Sequence, residues 1–314
     1  MDWGRTKLKF GAPSLVACFR LLWVVVLTML TGNTMVNAQD ATTLRARHAI
    51  LLGQLAHNQF QRPLYLESSE NSGDLKGDIY AVIEQPYAVV GPALQGTDHW
   101  CNILILHLNV KSCRTSTPKG GDILSVNIGR KFDQPLTDTY LFLFLYNVVT
   151  NRPDYLQVEL TAEKGPLGTS RCRIVLEVTA LDVKRSFLHL SYSYANGMLA
   201  RAAMQSYLAT IGRDKVGFSI IGRKVNGQPV YMGNMRGVVE RNTMRYYLAI
   251  EAYLGSLSVP GPQQIEKRLN DWYTGAERYP VQLHELERGE YLDMKRKEIQ
   301  RQEASSRVLG VFAQ

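Results

Sequence analysis

Two histidines, His107 and His189, fall inside predicted strands and are the side chains best suited to proton transfer. Either imidazole can act as a base if it faces a cavity beside a carboxylate. An ordinary half-buried strand histidine is the simpler interpretation of each. The sequence therefore supports a catalytic hypothesis without identifying a catalytic residue.

Familiar catalytic and cofactor motifs are missing from the sequence. It contains no G-x-S-x-G elbow and no C-x-x-C pair. The glycine-containing run 91–96 is followed by Thr97, where a phosphate loop requires lysine. His284 and Glu285 begin like a zinc-binding helix, but Arg288 stands in place of the second histidine. We therefore expect no cofactor and no bound metal.

A short arginine face is one candidate for ligand binding. Arg241 and Arg245 are one turn apart on a helix predicted over 236–254, among interleaved tyrosines. Such a face can receive a carboxylate or phosphate headgroup while an apolar sheet receives a tail. Surface ion pairs on an amphipathic helix are the simpler alternative, and the sequence leaves both open.

Period-two alternation of apolar residues predicts the sheet that must position these groups. Turn-forming Gly, Pro, Asn and Asp residues separate the later segments, which favours antiparallel hairpins. The predicted strands are 64–70, 77–84, 105–110, 123–131, 140–148, 155–162, 173–180 and 186–194.

One predicted strand, 140–148, is apolar on both faces. Phe142 and Phe144 lie on one face, and Leu141, Leu143 and Leu145 lie on the other. A central strand covered on both sides explains this pattern. The alternative is that the aromatic face lines a ligand cavity or an interface.

Helical periodicity appears before and after the strands. The charged segment 281–303 is predicted as a solvated helix, with a partner-binding helix as the alternative. Asn226–Gly227 predicts a hairpin turn. The other predicted helices are 41–58, 198–211, 236–254 and 262–273.

The first 38 residues have the pattern of a secretory signal. A basic segment ending at Arg20 precedes the charge-free apolar run 21–30, and small residues end at Ala38. We expect cleavage after Ala38 and a secreted or periplasmic protein, with an uncleaved anchor as the alternative.

Composition limits the partners. The net charge of +8 over 314 residues is partly located in the signal segment, which argues against nucleic acid and permits contact with an anionic membrane surface. In an oxidising compartment Cys101 and Cys113 are a candidate disulfide, which leaves Cys172 as an odd cysteine. No protein partner is identified.

The segment 77–104 resembles the opening of the START-like helix-grip superfamily, which includes polyketide cyclases and lipid-transfer domains. The resemblance rests on a strand that ends in Glu84 and Pro86 and on Trp100 shortly after it. It covers about 62–214 and implies two short helices, about six further antiparallel strands and a long helix closing the concave face. Either 198–211 or 236–254 could be that helix.

The sequence thus predicts an α+β protein of this architecture, with a helical lead-in at 39–61, a sheet domain at 62–222, a hairpin and helical extension at 223–303 and a flexible tail at 304–314. The resemblance implies a capacity to hold a hydrophobic or lipid-like molecule between sheet and helix, which we interpret as non-catalytic binding. The alternatives are a cyclase- or hydrolase-like enzyme and an envelope interaction protein that uses 281–303. The predicted ligand-binding residues are Phe142, Phe144, Tyr192, Tyr194, Met204, Tyr207, Arg241 and Arg245.

Overall fold

A computed structural model describes residues 40–197, 202 and 214–312. The predicted signal segment, the predicted helix 198–211 and the site residues Met204 and Tyr207 lie outside the described residues.

Eight strands form one antiparallel sheet in the order β1-β2-β8-β7-β6-β5-β4-β3. The predicted α+β class and the antiparallel hairpins are therefore confirmed. The strands are β1 Leu64–Asn71, β2 Asp74–Ile83, β3 Val110–Ser116, β4 Asp122–Ile128, β5 Tyr140–Arg152, β6 Tyr155–Lys164, β7 Thr169–Ala180 and β8 Ser186–Asn196.

The third strand was placed wrongly by the sequence pattern. Residues 105–109 are not a strand, and β3 begins only at Val110. Ile105, Leu106 and Leu108 are apolar because they are buried in the core, not because they alternate across a sheet. A short apolar run does not by itself distinguish these two environments.

Helices precede, interrupt and follow the sheet. Two of them, α2 and α3, come directly after β2, and six further strands follow, as the resemblance implies. The helices are α1 Ala41–Ala56, α2 Tyr87–Ala93, α3 Thr97–Leu104, α4 Asn234–Ser256, α5 Gly261–Glu277, α6 Pro280–Leu283 and α7 Arg288–Phe312.

The predicted hairpin at Asn226–Gly227 is present. Its strands are β9 Ile220–Arg223 and β10 Pro229–Tyr231, which pair only with each other. Gly227 has φ of 80°, a conformation that glycine adopts without strain.

Helix α4 packs on the face of the sheet formed by β1, β2 and β8, which we term the inner face. Gly77 permits this close approach, because a Cβ there would lie 2.3 Å from Thr243 Oγ1. The predicted helix 236–254 is thus the described helix that lies on the inner face. The interface between the inner face and α4 is termed the grip.

Helix α1 covers the opposite, outer face. Its buried Leu44 and Leu51 belong to a small core with Tyr80, Tyr155 and Phe187 of the sheet. Asp40 caps the helix by accepting a hydrogen bond from the backbone N–H of Thr43 at 2.8 Å. The lead-in helix therefore serves as a second layer of the fold.

The leucine face of β5 is open to solvent. Leu141, Leu143 and Leu145 are 60%, 54% and 46% exposed, whereas Phe142 and Phe144 are buried. The interpretation that this strand is covered on both sides is therefore wrong. The three leucines are exposed because α1 contacts β1, β7 and β8 but does not extend to β5.

The charged C-terminal segment is not a single solvated helix. It is divided into α6 and α7, and α7 continues to Phe312. Tyr291, Lys295 and Glu298 of α7 are completely buried, and this helix packs on β3 and α5. The prediction of a solvated helix was wrong because charged side chains of α7 are buried, where they contact groups that are distant in the sequence.

Candidate functional site

Aromatic side chains from β5 and β8 occupy the inner face. The rings of Phe142 and Phe144 are stacked with centroids 4.9 Å apart, and Tyr192 lies 5.4 Å from Tyr194. Alternation along each strand puts both members of a pair on the same side. The four described aromatic residues of the predicted site are therefore on one face.

Cys172 of β7 and Gly165 lie between the two aromatic pairs. A Cβ at Gly165 would come within 2.9 Å of both Cys172 Sγ and the ring of Phe142, so only glycine fits there. Burial raises the pKa of the Cys172 thiol, which keeps it protonated. This buried cysteine contributes apolar surface to the inner face.

Helix α4 adds a third phenol. The ring of Tyr246 is 5.2 Å from Tyr192, and its other neighbour is His107, stacked at 4.8 Å. The sequence analysis did not include Tyr246 in the site. Neither the helical nor the strand periodicity predicts which residues of a helix contact which residues of a sheet. Tyr192, Tyr194 and Tyr246 are termed the phenol cluster.

The phenol cluster is unusual in its hydrogen bonding. No described residue forms a hydrogen bond with any of its three hydroxyls. Burial raises the pKa of each of these tyrosines, so all three hydroxyls stay neutral. Buried tyrosine hydroxyls ordinarily have a partner. The cluster can therefore supply hydrogen bonds to a group from outside the described chain.

The two predicted arginines, Arg241 and Arg245, lie one turn apart on α4. Arg241 is buried and donates to the carbonyl of Val216 at 3.1 Å. Arg245 is also buried and donates to Glu285 at 2.9 Å and to Asn242 at 3.3 Å. Each arginine thus has its own protein partners.

Glu285 gathers three cations, which we term the Glu285 cluster. Its carboxylate lies 2.5 Å from Lys131 Nζ, 3.1 Å from Lys215 Nζ and 2.9 Å from Arg245 Nη2. Burial opposes ionisation of Glu285, but Lys131 and Arg245 outweigh it and lower its pKa to about 2. Burial and the nearby Arg245 lower the pKa of Lys131 to about 8.

Sequence reasoning missed the two lysines of this cluster. Lys131, Lys215 and Glu285 lie in separate connecting segments, and no spacing rule links them. Glu285 drew attention only as part of an incomplete zinc motif. Of the four residues of this cluster, only Arg245 was a candidate ligand-binding residue in the sequence.

His107 lies in the protein interior next to α4. Its Nδ1 accepts the backbone N–H of Asn109 at 3.2 Å, and its buried Nε2 has no hydrogen-bond partner among the described residues. Burial, then the charges of Arg245 and Lys295, lower the pKa of this imidazole well below its ordinary value. His107 is therefore neutral and carries its proton on Nε2.

His189 lies on the outer face, on the other side of the sheet from the grip. Its ring contacts Glu177 at 2.7 Å and Asp78 at 2.9 Å and stacks on Tyr80 at 4.3 Å. Burial disfavours its charge, but hydrogen bonds to Asp78 and Glu177 outweigh burial and raise its pKa. This imidazole is held between two carboxylates beneath α1.

The catalytic hypothesis required an imidazole within hydrogen-bond reach of a carboxylate or tyrosine inside the grip. His189 has two such carboxylates but lies outside the grip. His107 lies near the grip but stacks on Tyr246 and bonds to backbone. Neither histidine has the required arrangement.

A cleft of about 790 Å³ lies elsewhere, at the C-terminal end of α4. Arg62 and Glu251 form an ion pair within it, and Arg62 also donates to Tyr247 at 2.9 Å. Of the predicted site residues that the structure describes, none lines this cleft. It is formed by the loop before β1, the turn after β2 and the residues following α5, a combination the sequence does not reveal.

Cys101 and Cys113 form a disulfide with their Cα atoms 5.2 Å apart, joining α3 to β3. Among the described residues, no group of His, Cys, Asp and Glu is arranged to hold a metal ion. Within the same residues, every helix is too short or too polar to cross a bilayer.

Comparisons with known proteins yield structural matches only. Neither a family model nor a curated protein matches the sequence. A START superfamily protein from Mycobacterium smegmatis is 8% identical with a TM-score of 0.29, covering 44% of this chain and 92% of its own. Truncated norcoclaurine synthase from Thalictrum flavum is 14% identical with a TM-score of 0.30, covering 46% and 90%. A hypothetical protein from Helicobacter pylori is 12% identical with a TM-score of 0.34, covering 58% and 86%.

These likenesses are too distant to carry an argument about activity. The fold assignment rests on the element order: a strand, two short helices, six further antiparallel strands and a long helix on the inner face. This is the order that the resemblance implies. The described elements thus have the order of a START-like helix-grip fold, with an additional edge strand and three helices after α4.

Proposed function

We propose that this protein binds a largely apolar small molecule in the grip without chemically changing it. The carrying observation is the phenol cluster, in which Tyr192 lies against Tyr194 and Tyr246 and no hydroxyl forms a hydrogen bond with a described residue. Phe142 and Phe144 offer apolar contact to the body of such a ligand. A ligand with one or two oxygen atoms would satisfy the phenols.

A binding role is favoured over a catalytic one by the two histidines. His189 is separated from the grip by the sheet, and His107 is neutral without a carboxylate partner. A cyclase- or hydrolase-like reaction would need a base in the grip.

Secretion or a periplasmic location is part of the proposal. The basic, apolar and small-residue order of 1–38 supports it. The disulfide between Cys101 and Cys113 also supports an oxidising compartment. Residues 39–314 contain 32 Lys and Arg against 27 Asp and Glu, a net charge of +5, which is consistent with contact with an anionic membrane surface.

Native mass spectrometry of the purified chain, followed by organic extraction, tests this proposal. We expect a stoichiometric apolar adduct whose occupancy falls at least about tenfold in Phe144→Asp, since a charge would enter the apolar face. Leu143→Asp is the matched control, because Leu143 is the next residue on the same strand but faces solvent. Circular dichroism establishes that each variant is folded.

Two results would refute the proposal. One is full occupancy in a folded Phe144→Asp variant. The other is a bare protein that also fails to take up added octanol. Tyr192→Phe, which removes one hydroxyl and little volume, gives a second reading if Phe144→Asp does not fold.

A further inference from the structure

The hairpin of β9 and β10, residues 220–231, is held at its base by α4. The backbone N–H groups of Phe218 and Ser219 donate to the buried carboxylate of Glu240, at 2.6 Å and 2.9 Å. Across the base, the backbone N–H of Met232 donates to the carbonyl of Ser219 at 2.7 Å. The two strands therefore leave the body of the protein from a fixed base.

Beyond this base the hairpin is open to solvent. Every residue from 220 to 228 is exposed, and β9 and β10 pair with no other described strand. Three of these residues are aliphatic: Ile220, Ile221 and Val225 are 39%, 58% and 111% exposed. Exposed aliphatic side chains on a ribbon with two unpaired edges favour contact with another surface.

The charge of the hairpin is entirely positive. Arg223 and Lys224 lie between the aliphatic residues, and both are exposed. Arg223 donates to the carbonyl of Gly227 at 3.1 Å, and neither cation forms an ion pair with a described residue. The sequence contains no acidic residue between Asp214 and Glu240. A partner of matching chemistry therefore combines negative charge with an apolar phase.

An anionic phospholipid bilayer has this chemistry, whereas a second copy of the chain does not. Edge-to-edge pairing of two hairpins would bring Arg223 and Lys224 of both copies together, and like charges on paired strands are destabilising. A bilayer offers anionic headgroups that attract lysine and arginine. Directly beneath them, the boundary of the acyl chains receives aliphatic side chains.

We infer that the hairpin 220–231 is a membrane-contact surface, with Arg223 and Lys224 on anionic headgroups and Ile221 and Val225 in the acyl boundary. This inference rests on the membrane contact included in the proposed function and names the part of the molecule that makes it. It does not depend on a ligand in the grip.

Flotation of the purified chain with phospholipid vesicles tests this inference. Vesicles of equal amounts of phosphatidylglycerol and phosphatidylcholine are compared with vesicles of phosphatidylcholine alone. We expect the anionic vesicles to bind the chain at least about tenfold more tightly, because two cations at an anionic surface contribute that much. This preference should disappear in about 0.5 M salt, which screens the charges.

A first variant tests the contribution of charge. Arg223→Gln/Lys224→Gln should remove most of the preference for anionic vesicles. Its matched control is Lys119→Gln/Lys184→Gln, which removes the same charge from two exposed turns elsewhere and should keep the preference. All variants share residues 1–38, so the comparison isolates the hairpin.

A second variant tests the apolar contact without changing the charge. Ile221→Ser/Val225→Ser should weaken binding to anionic vesicles at least about tenfold, since two aliphatic side chains no longer leave water. Val183→Ser is the control, because Val183 is 87% exposed in the turn between β7 and β8 and should not contribute. Circular dichroism establishes that each variant is folded.

Three results would overturn the inference. The first is vesicle binding that stays unchanged in both hairpin variants. The second is no binding to anionic vesicles, which leaves ligand binding in the grip intact if octanol is still taken up. The third is self-association that Ile221→Ser/Val225→Ser abolishes, without vesicle binding, since the surface then belongs to a second copy. Hairpin-dependent vesicle binding by a chain that takes up no octanol supports the inference and counts against the proposed ligand.

Discussion

Two glutamates each serve more than one cation, and they do so in opposite ways. Glu298 lies between Lys111 and Lys295, 2.8 Å from both, and all three side chains are completely buried. Glu285 serves Lys131, Lys215 and Arg245 where two of the cations reach solvent. The two clusters differ in whether every N–H donor of their lysines has an acceptor among the described residues.

At Glu298 every ammonium donor has an acceptor. Lys295 donates to the carbonyls of His107 and Val110 and to Glu298, and Lys111 donates to the carbonyl of Leu108, Met294 Sδ and Glu298. This buried network, in which every lysine donor has an acceptor, joins α7 to the segment before β3. At Glu285 the two lysines are 32% and 31% exposed, and the described residues do not use all of their donors.

The largest effect is expected from Glu298→Gln. The substitution leaves two buried lysines without a counter-charge, and such losses cost about 3–5 kcal/mol of the free energy of unfolding. Urea denaturation measures the change. Asp293→Asn on the same helix is the control, because its ion pair with Arg296 is exposed and should contribute little. A loss below about 1 kcal/mol in Glu298→Gln would show that this network is not what fastens α7.

The contribution of Glu285 to the free energy of unfolding should depend on pH. Its pKa is about 2 in the folded protein against an ordinary 4.5, so the stabilisation is complete above pH 4.5 and is lost as the pH falls towards 2. The full effect is about 3 kcal/mol, of which about 2 kcal/mol should be gone at pH 3. The measurement is the difference in unfolding free energy between the natural chain and Glu285→Gln at pH 6 and pH 3. A constant difference contradicts the assignment.

Sequence patterns located the sheet better than the site. Alternation identified seven of the eight strands because burial on one face dictates it, as in β5 and β7. Alternation gave a wrong strand at 105–109, because these residues are apolar through burial in the core and not through pairing in the sheet. The Glu285 cluster joins side chains from three connecting segments and one helix, and such tertiary proximity leaves no local periodicity.

A smaller effect concerns the charge of Lys131. Arg245, Lys215 and Glu285 face this ammonium, and its pKa of about 8 means that it loses its proton as the pH rises through that value. The unfolded chain, in which this lysine titrates near 10.5, then binds more protons than the folded protein, so the free energy of unfolding should rise between pH 8 and pH 10.5. Lys131→Arg keeps its charge over this range and should flatten the profile. An equal rise in both proteins assigns the titration to another group.

The smallest effect tests the same contrast between saturated and open groups in two tyrosines. The hydroxyl of Tyr155 donates to Glu177 at 2.6 Å, whereas that of Tyr192 has no described partner. Tyr155→Phe should cost about 1.5 kcal/mol, since a hydrogen bond to a charged acceptor is lost. Tyr192→Phe should leave the free energy of unfolding unchanged and weaken octanol binding several-fold. If Tyr192→Phe destabilises the unliganded protein as much as Tyr155→Phe does, the Tyr192 hydroxyl is bonded within the protein, and the phenol cluster no longer indicates a ligand.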